Sequence, residues 1–414
     1  MKERLFATIL VATILLQHFQ LTAIAGYPIT IGLLAGLTLV IAAARSKPTG
    51  VLLKTGILIT AVSSVVAISE GTYVVGQDFF RTLTLVLTTA SIIALGFHAP
   101  RNQLLRAEAV QRGLLLALCA VVALSVLQTV TGMAGSVQFF NVFGAHQYLY
   151  EYQPFLQFNP TPRAQGFFLE PSYNAFVIGT ITILILASGR RRSRALLLCA
   201  AGMFVTQSAT GLVLMGILLI VSAATRGITR LMLSILGFGV MYWLVGTYVF
   251  GRIASVSTSG TSANYRIQAP LTVLSDVLQH HIIGLPLGSI FKVMGTYNLA
   301  NGTTRGTSLD NGFYVIVFYF GWVGVILLLA LMTLALRSAY DMRIQSPSSS
   351  MKFLVPLWLI GTLLFSGGIM LPEFGIMTWL VLAMYNTKPT GIEYSKERHE
   401  IASTAPQHYH RHAQ

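Results

Sequence analysis

Charge is scarce in this sequence, and that scarcity decides the class. Only 10% of the 414 residues are Asp, Glu, Lys or Arg, while 54% are apolar or aromatic and the mean hydropathy is +0.70. So little charge cannot cover the surface of a soluble domain, and the chain reads as an integral membrane protein. Cysteine is rarer still: Cys119 and Cys199 each stand inside an apolar run, without metal-ligand spacing, and read as small core residues. A disulfide scaffold and a cysteine-built metal centre are therefore excluded. Internal repeats, heptads, phosphate loops and glycine-rich nucleotide fingerprints are also missing, so cytoplasmic ATP hydrolysis is not expected. The formal net charge of +14 would suggest nucleic acid in a soluble protein, but here the position of the charges matters more than their sum.

What the chain does have is long apolar runs. A helix needs about 20 mostly apolar residues to cross about 30 Å of hydrocarbon. Twelve such spans are expected, at 5–25, 29–44, 51–69, 80–97, 113–131, 172–188, 195–209, 211–225, 231–250, 313–336, 353–371 and 374–387. Together they predict an all-α fold: one polytopic bundle over 1–387, followed by a polar tail over 388–414 without packed structure. The tail carries His399, His408, His410 and His412, which read as solvated side chains, not as a metal site. Lys2 and Arg4 with Ala23-Ile24-Ala25 before Gly26 have the outline of a signal peptide, but the length of the apolar stretch favours an uncleaved first span.

Basic residues fall in every second connection. Arg81, Arg163, Arg252, Arg266, Lys292 and Arg305 are the exceptions; all other Lys and Arg lie on one side, together with both termini. By the positive-inside rule that side is cytoplasmic. The opposite face then has two long connections, 132–171 and 251–312, and connections of such length are usually functional or disordered.

The first long connection ends in RAQGFFLEPSYN, residues 163–174. Pro171 suits the first position of a helix, which puts Glu170 at the helix N-terminus, where the dipole favours a carboxylate. Glu170 is then either a cap or a functional acid. Gly166 argues for a loop between Arg163 and Glu170; the two either pair at the interface, or Arg163 stands ready as a forked donor for a lipid phosphate. The second connection contains YRIQAP, DVLQHHIIGLPLGS and RGTSLDNGFY. Leu271, Leu274 and Leu278 at helical spacing predict a short amphipathic helix. His280 and His281 are a candidate base, but neighbours on a helix point about 100° apart, which is poor geometry for one metal. Asp310 or Asn311 is placed to cap the tenth span. Glu373, in LPEFG between two apolar spans, is a functional candidate if it lies at membrane depth and an ordinary wet residue if the turn is shallow.

The order Arg, gap, Gly, Glu-Pro-Ser, then a late outer loop with Tyr-Arg and Asp-Asn-Gly, resembles bacterial exopolysaccharide polymerases, most of all the colanic acid polymerase group. The resemblance extends over about 150–380. It implies a metal-independent membrane glycosyltransferase of GT-C-like architecture, without a cofactor, on the periplasmic face of the inner membrane. The substrate implied is an oligosaccharide repeat unit on undecaprenyl diphosphate. Partners implied are membrane lipid, a flippase and a chain-length-regulating co-polymerase; nucleic acid is not among them. Within that chemistry Arg163, Arg266 and Arg305 are expected to hold the diphosphate. Glu170 is the first choice for proton acceptor, His280 or His281 the second, and Asp310 or Glu373 the third. Tyr265, Asn174 and Asn311 are expected to orient sugar hydroxyls. Two other functions share features with this one: a ligase moving finished polymer to a lipid A core, and a transporter or flippase of lipid-linked sugars. Transport would require polar residues along the spans, and these are nearly absent.

Overall fold

The structure, a computed structural model, describes residues 2–24, 27–43, 48–98, 107–146, 162–187, 192–208, 211, 214–218, 232, 239, 268–290, 292–293, 309, 311–342, 350–365 and 368–385. Its elements in chain order are α1 (Lys2–Leu15), β1 (Gln20–Ile24), β2 (Tyr27–Thr30), α2 (Ile31–Ala43), α3 (Pro48–Ser69), α4 (Gly76–His98) and α5 (Glu108–Met133). After these come α6 (Pro171–Ala187), α7 (Arg192–Thr206), α8 (Gln268–His280), α9 (Gly312–Met342), α10 (Ser350–Phe365) and α11 (Pro372–Tyr385). Among the described residues, four stretches are long and apolar enough, by length and composition, to cross a membrane: Thr49–Ser69, Gly76–Gly96, Glu108–Met133 and Gly312–Leu334, the last interrupted at Gly321. Shorter apolar helices make up most of the remainder. The expected eighth and ninth spans lie mostly outside the described residues.

The first expected span is not one helix. α1 ends at Leu15, and the chain then forms a two-stranded antiparallel hairpin in which Ile24 pairs with Tyr27 and Ala23 with Pro28. The polar run Gln17-His18 breaks the apolar stretch, and β-branched Thr22, Ile24, Ile29 and Thr30 favour extended backbone. Thr30 then starts α2 by accepting a 3.0 Å hydrogen bond from the Leu33 N–H, a regular N-cap.

α6 and α11 form the middle of the bundle. Both are apolar and buried nearly all round, as a core helix must be. Both begin with proline, whose missing N–H would have had no helical partner there. Phe176 of α6 stacks on Phe374 of α11 and on Trp358 of α10, at 5.8 and 5.7 Å between ring centres. Trp358 in turn donates to the Thr180 hydroxyl at 3.1 Å. α3 faces outward with most of its apolar surface uncovered, as a lipid-facing helix does.

α9 doubles back. Gly321 has φ 51° and ψ −131°, and a Cβ on Gly324 would fall 2.7 Å from the backbone oxygen of Ile316, eight residues earlier. A continuous helix would hold those residues about 12 Å apart. The part after Gly321 is still about 30 Å long, enough for a crossing of its own. The connection after α8 wedges against the fold-back: Leu285 N–H donates to Phe318 O and Trp322 N–H to Ile282 O, both at 2.9 Å. α8 itself is the amphipathic helix the sequence predicts, with one correction. Its buried side is Val273, Leu274 and Val277, while Leu271 is exposed, because the helix lies against α9 by that face.

Gly321→Ala tests the fold-back. A Cβ there would meet Ile282 O at 2.2 Å, in a backbone region that L-residues avoid. The expected loss is more than about 2 kcal/mol in denaturant unfolding of the detergent-solubilised protein. A variant as stable as wild type would mean that the chain does not reverse at this residue.

Candidate functional site

The stretch before α6 enters the bundle as a loop, and its backbone polar groups are met by side chains. Gln128 of α5 does most of this. Its Oε1 accepts from the Gln165 and Gly166 N–H groups at 3.1 and 2.8 Å. Its Nε2 donates to Phe139 O and Gly166 O at 2.9 and 3.0 Å. The Gln165 side chain donates to Phe140 O, and the Ala164 N–H to Val205 O at 3.2 Å. Gly166 sits at φ +61°, and a Cβ there would lie 2.9 Å from Asn174 Oδ1, so both conformation and space demand glycine.

Arg163 opens this loop. It is only 9% exposed, and its Nε is buried without a hydrogen-bond partner. The expected alternative, an Arg163–Glu170 ion pair, does not form: the Glu170 carboxylate accepts instead from the Ser172 hydroxyl at 3.0 Å. Glu170 precedes Pro171 as expected, and its backbone oxygen accepts the first helical bond, from Asn174 N–H at 3.0 Å. Asn174, expected as a sugar ligand, is fully buried. Its Nδ2 is committed to Ser125 Oγ at 2.9 Å and Ala164 O at 3.3 Å, which makes it a brace for the loop.

The N-terminal segment holds the other side of this turn. His18 is buried, and its Nδ1 accepts from the Leu169 N–H at 2.9 Å, so that nitrogen carries no proton. Its ring packs on Tyr173 at 4.6 Å and edge-on against Phe168 at 5.7 Å. Tyr173 donates to Gln17 Oε1 at 2.5 Å, and Gln17 Nε2 reaches Met377 Sδ at 3.2 Å. The start of α6 is thereby tied to α11 through the end of α1.

At the start of α11 stands Glu373. It is 2% exposed; Oε2 accepts from the Tyr27 hydroxyl at 2.7 Å, while Oε1 is buried without a hydrogen-bond partner. Its depth follows from α4, which runs beside α11. Thr89 donates to Met370 O at 2.6 Å, and a Cβ on Gly375 would meet Thr89 at 3.1 Å. Thr89 lies about 20 Å along α4 from Gly76. The LPEFG turn is therefore deep, beside the middle of a helix long enough to cross a bilayer. Successive residues of α6 point about 100° apart, so Asn174 faces the Arg163 loop while Tyr173 and Phe176 face the N-terminal segment and α11.

The two histidines are elsewhere, at the end where α3 meets α4. His280 is exposed and sits 2.8 Å from Asp276 Oδ1 on its own helix. His281 Nδ1 lies 2.9 Å from Glu70 Oε1, off the line of a hydrogen bond, and its ring meets Tyr73 edge-on at 5.2 Å. Lys292 donates to Thr72 O at this same end. Among the described residues, neither histidine bonds to Arg163, Glu170 or Glu373. Asn311 is a cap, accepting from the Phe313 N–H at 2.9 Å. Tyr265, Arg266, Arg305 and Asp310 lie outside the described residues. Gln17, His18, Tyr27 and Gln128 were not among the residues expected here. The available signal was their presence as polar or hydroxyl-bearing groups in otherwise apolar runs.

Comparison with known proteins gives two matches. A family model described as "WcaD colanic acid polymerase" matches residues 5–387. A protein of Escherichia coli (strain K12) named "Putative colanic acid polymerase" is 24% identical over 320 residues, covering 74% of this chain and 76% of the relative.

Gln128→Leu removes three hydrogen bonds from the Arg163 loop and a fourth from Phe139 O, and leaves buried backbone groups unpaired. Destabilisation of about 1–3 kcal/mol is expected, with faster amide exchange in a peptide covering 162–170 by mass spectrometry. Unchanged exchange there would show that the loop is held by something other than this amide.

Proposed function

The chain belongs to the WcaD colanic acid polymerase family, and on that premise we propose that it is a polysaccharide polymerase working on undecaprenyl-diphosphate-linked repeat units at the periplasmic face of the bacterial inner membrane. Both termini lie in the cytoplasm in this reading, because the basic connections fall on their side. The observation that carries it is the Arg163 loop: a guanidinium with a buried, unpartnered Nε, braced beside the start of a central helix.

The reaction needs little else. An acceptor hydroxyl oxygen attacks the anomeric carbon of the donor sugar, the bond from that carbon to the diphosphate breaks, and its electron pair leaves with the diphosphate. Negative charge grows on the leaving group, where a forked, permanently charged donor is the fitting partner. Arg163 takes this role, with Arg266 and Arg305 as the other candidates. The positive end of the α6 dipole adds to the same field. The hydroxyl proton passes to a carboxylate, and Glu170 and Glu373 stand at the starts of the two central helices. The donor's own diphosphate bond supplies the free energy. A flippase would deliver the lipid-linked unit, and a co-polymerase would set chain length. Transfer to a lipid A core uses the same donor chemistry with a different acceptor, and the family match favours polymerisation.

Arg163→Ala, reconstituted at wild-type protein levels with lipid-linked repeat units, is expected to lose the polymer ladder on a gel. Arg163→Lys should fall at least about tenfold, because a point charge does not replace a bidentate grip. Wild-type ladders from Arg163→Ala would remove the clamp from this reading.

A further inference from the structure

We propose that Glu373 is the group that takes the acceptor's proton, and that Tyr27, on the N-terminal β-hairpin, is the residue that positions it. This rests on the glycosyl-transfer reading above and divides the labour between its two carboxylates.

A general base needs a free lone pair and a fixed orientation. Glu373 has both. Oε2 is held by the Tyr27 hydroxyl at 2.7 Å, and Oε1 is buried with no partner. Glu170 also accepts one hydrogen bond, from Ser172, but it is partly exposed where Glu373 is buried. A buried carboxylate oxygen without a partner is costly, and one at membrane depth is a functional feature unless packing explains it. The neighbours of Glu373 on α11 are engaged elsewhere: Phe374 stacks on Phe176, and Met377 receives Gln17.

The hairpin explains how the carboxylate is aimed. Tyr27 is buried and pairs with Ile24 across the hairpin, and Thr30, three residues on, caps α2. The tyrosine is therefore fixed at both ends of its strand. The same N-terminal segment bonds the turn before α6 through His18 and Leu169. One element thus sets the position of Glu373 relative to the stretch that carries Arg163. In the step itself, the hydroxyl proton goes to Glu373 Oε1 as the new carbon–oxygen bond forms, and the diphosphate departs with the electron pair of the broken bond.

The test uses the full chain in phosphatidylethanolamine–phosphatidylglycerol vesicles. Its substrate is lipid-linked oligosaccharide extracted from a strain in which this chain's gene is deleted. Glu373→Gln keeps the shape and an acceptor oxygen for Tyr27; kcat is expected to fall by about 10²–10⁴ with KM changed less than about threefold. Tyr27→Phe should lower kcat by about tenfold and move the acid limb of the pH–rate profile, which a merely structural hydroxyl leaves in place. If Glu373→Gln does not accumulate, Tyr27→Phe decides: a moved acid limb supports the assignment and an unmoved one overturns it. An active wild type with a dead Arg163→Ala and a Glu373→Gln within about twofold of wild-type kcat sinks this inference and leaves the polymerase reading standing. A wild type inactive on the extracted substrate sinks both.

Discussion

A loop that enters the middle of a membrane protein must find every hydrogen bond inside the protein, and here one glutamine meets more of that demand than any other side chain. Lipid offers no partner to a free N–H or C=O, so irregular backbone survives at depth only where side chains replace the missing ladder. Gln128 suits this task because an amide can donate and accept at once, and it does both toward the backbone of Gln165 and Gly166. Ser125 and Asn174 complete the cradle from α5 and α6. Arg163 is where it is because of this brace; without it, a cation at that position would have reason to move outward toward water.

The same logic accounts for the N-terminal hairpin. A β-hairpin leaves its edges open, and such edges are tolerated at a polar boundary or against protein. Here the segment around it gives its polar groups to neighbours: Gln17 to Tyr173 and Met377, His18 to Leu169, Tyr27 to Glu373. The hairpin and its flanks thus replace the outer half of a helix with side chains that reach two helix starts. A continuous first helix would have presented those three residues to different faces, about 100° per step, and could not have served both.

Much of this was legible in the sequence, and the limits have physical causes. Pro171, Gly166, the Asn311 cap and the helix at Gln268–His280 follow from local rules, because each depends on residues within a turn of one another. Membrane class and family follow from composition and from RAQGFFLEPSYN. The hairpin was missed because hydropathy sums over a window and cannot see that Gln17-His18 ends a helix. Gln128 was missed for a related reason: a polar residue inside an apolar run shows that something must be satisfied, but not what. The depth of Glu373 depends on Thr89, nearly three hundred residues away in the chain, and sequence spacing carries no such information. The roles expected of His280 and His281 rested on residue type alone; the fold sets His280 beside Asp276 and His281 beside Glu70, partners that residue type does not reveal.

Depth also bears on the chemistry proposed. A sugar diphosphate can lose its sugar to water as readily as to a sugar hydroxyl, so a polymerase has reason to do the transfer where water is few. In such a setting a guanidinium acts more strongly on a developing phosphate charge than it would at a wet surface. A carboxylate there must be oriented by the protein, since solvent is not present to do it. A site placed at an exposed loop tip would have neither advantage. The arrangement around α6 and α11, with Arg163 braced by Gln128 and Glu373 held by Tyr27, supplies fixed polar groups in an apolar interior, the condition under which electrostatic preorganisation is most effective.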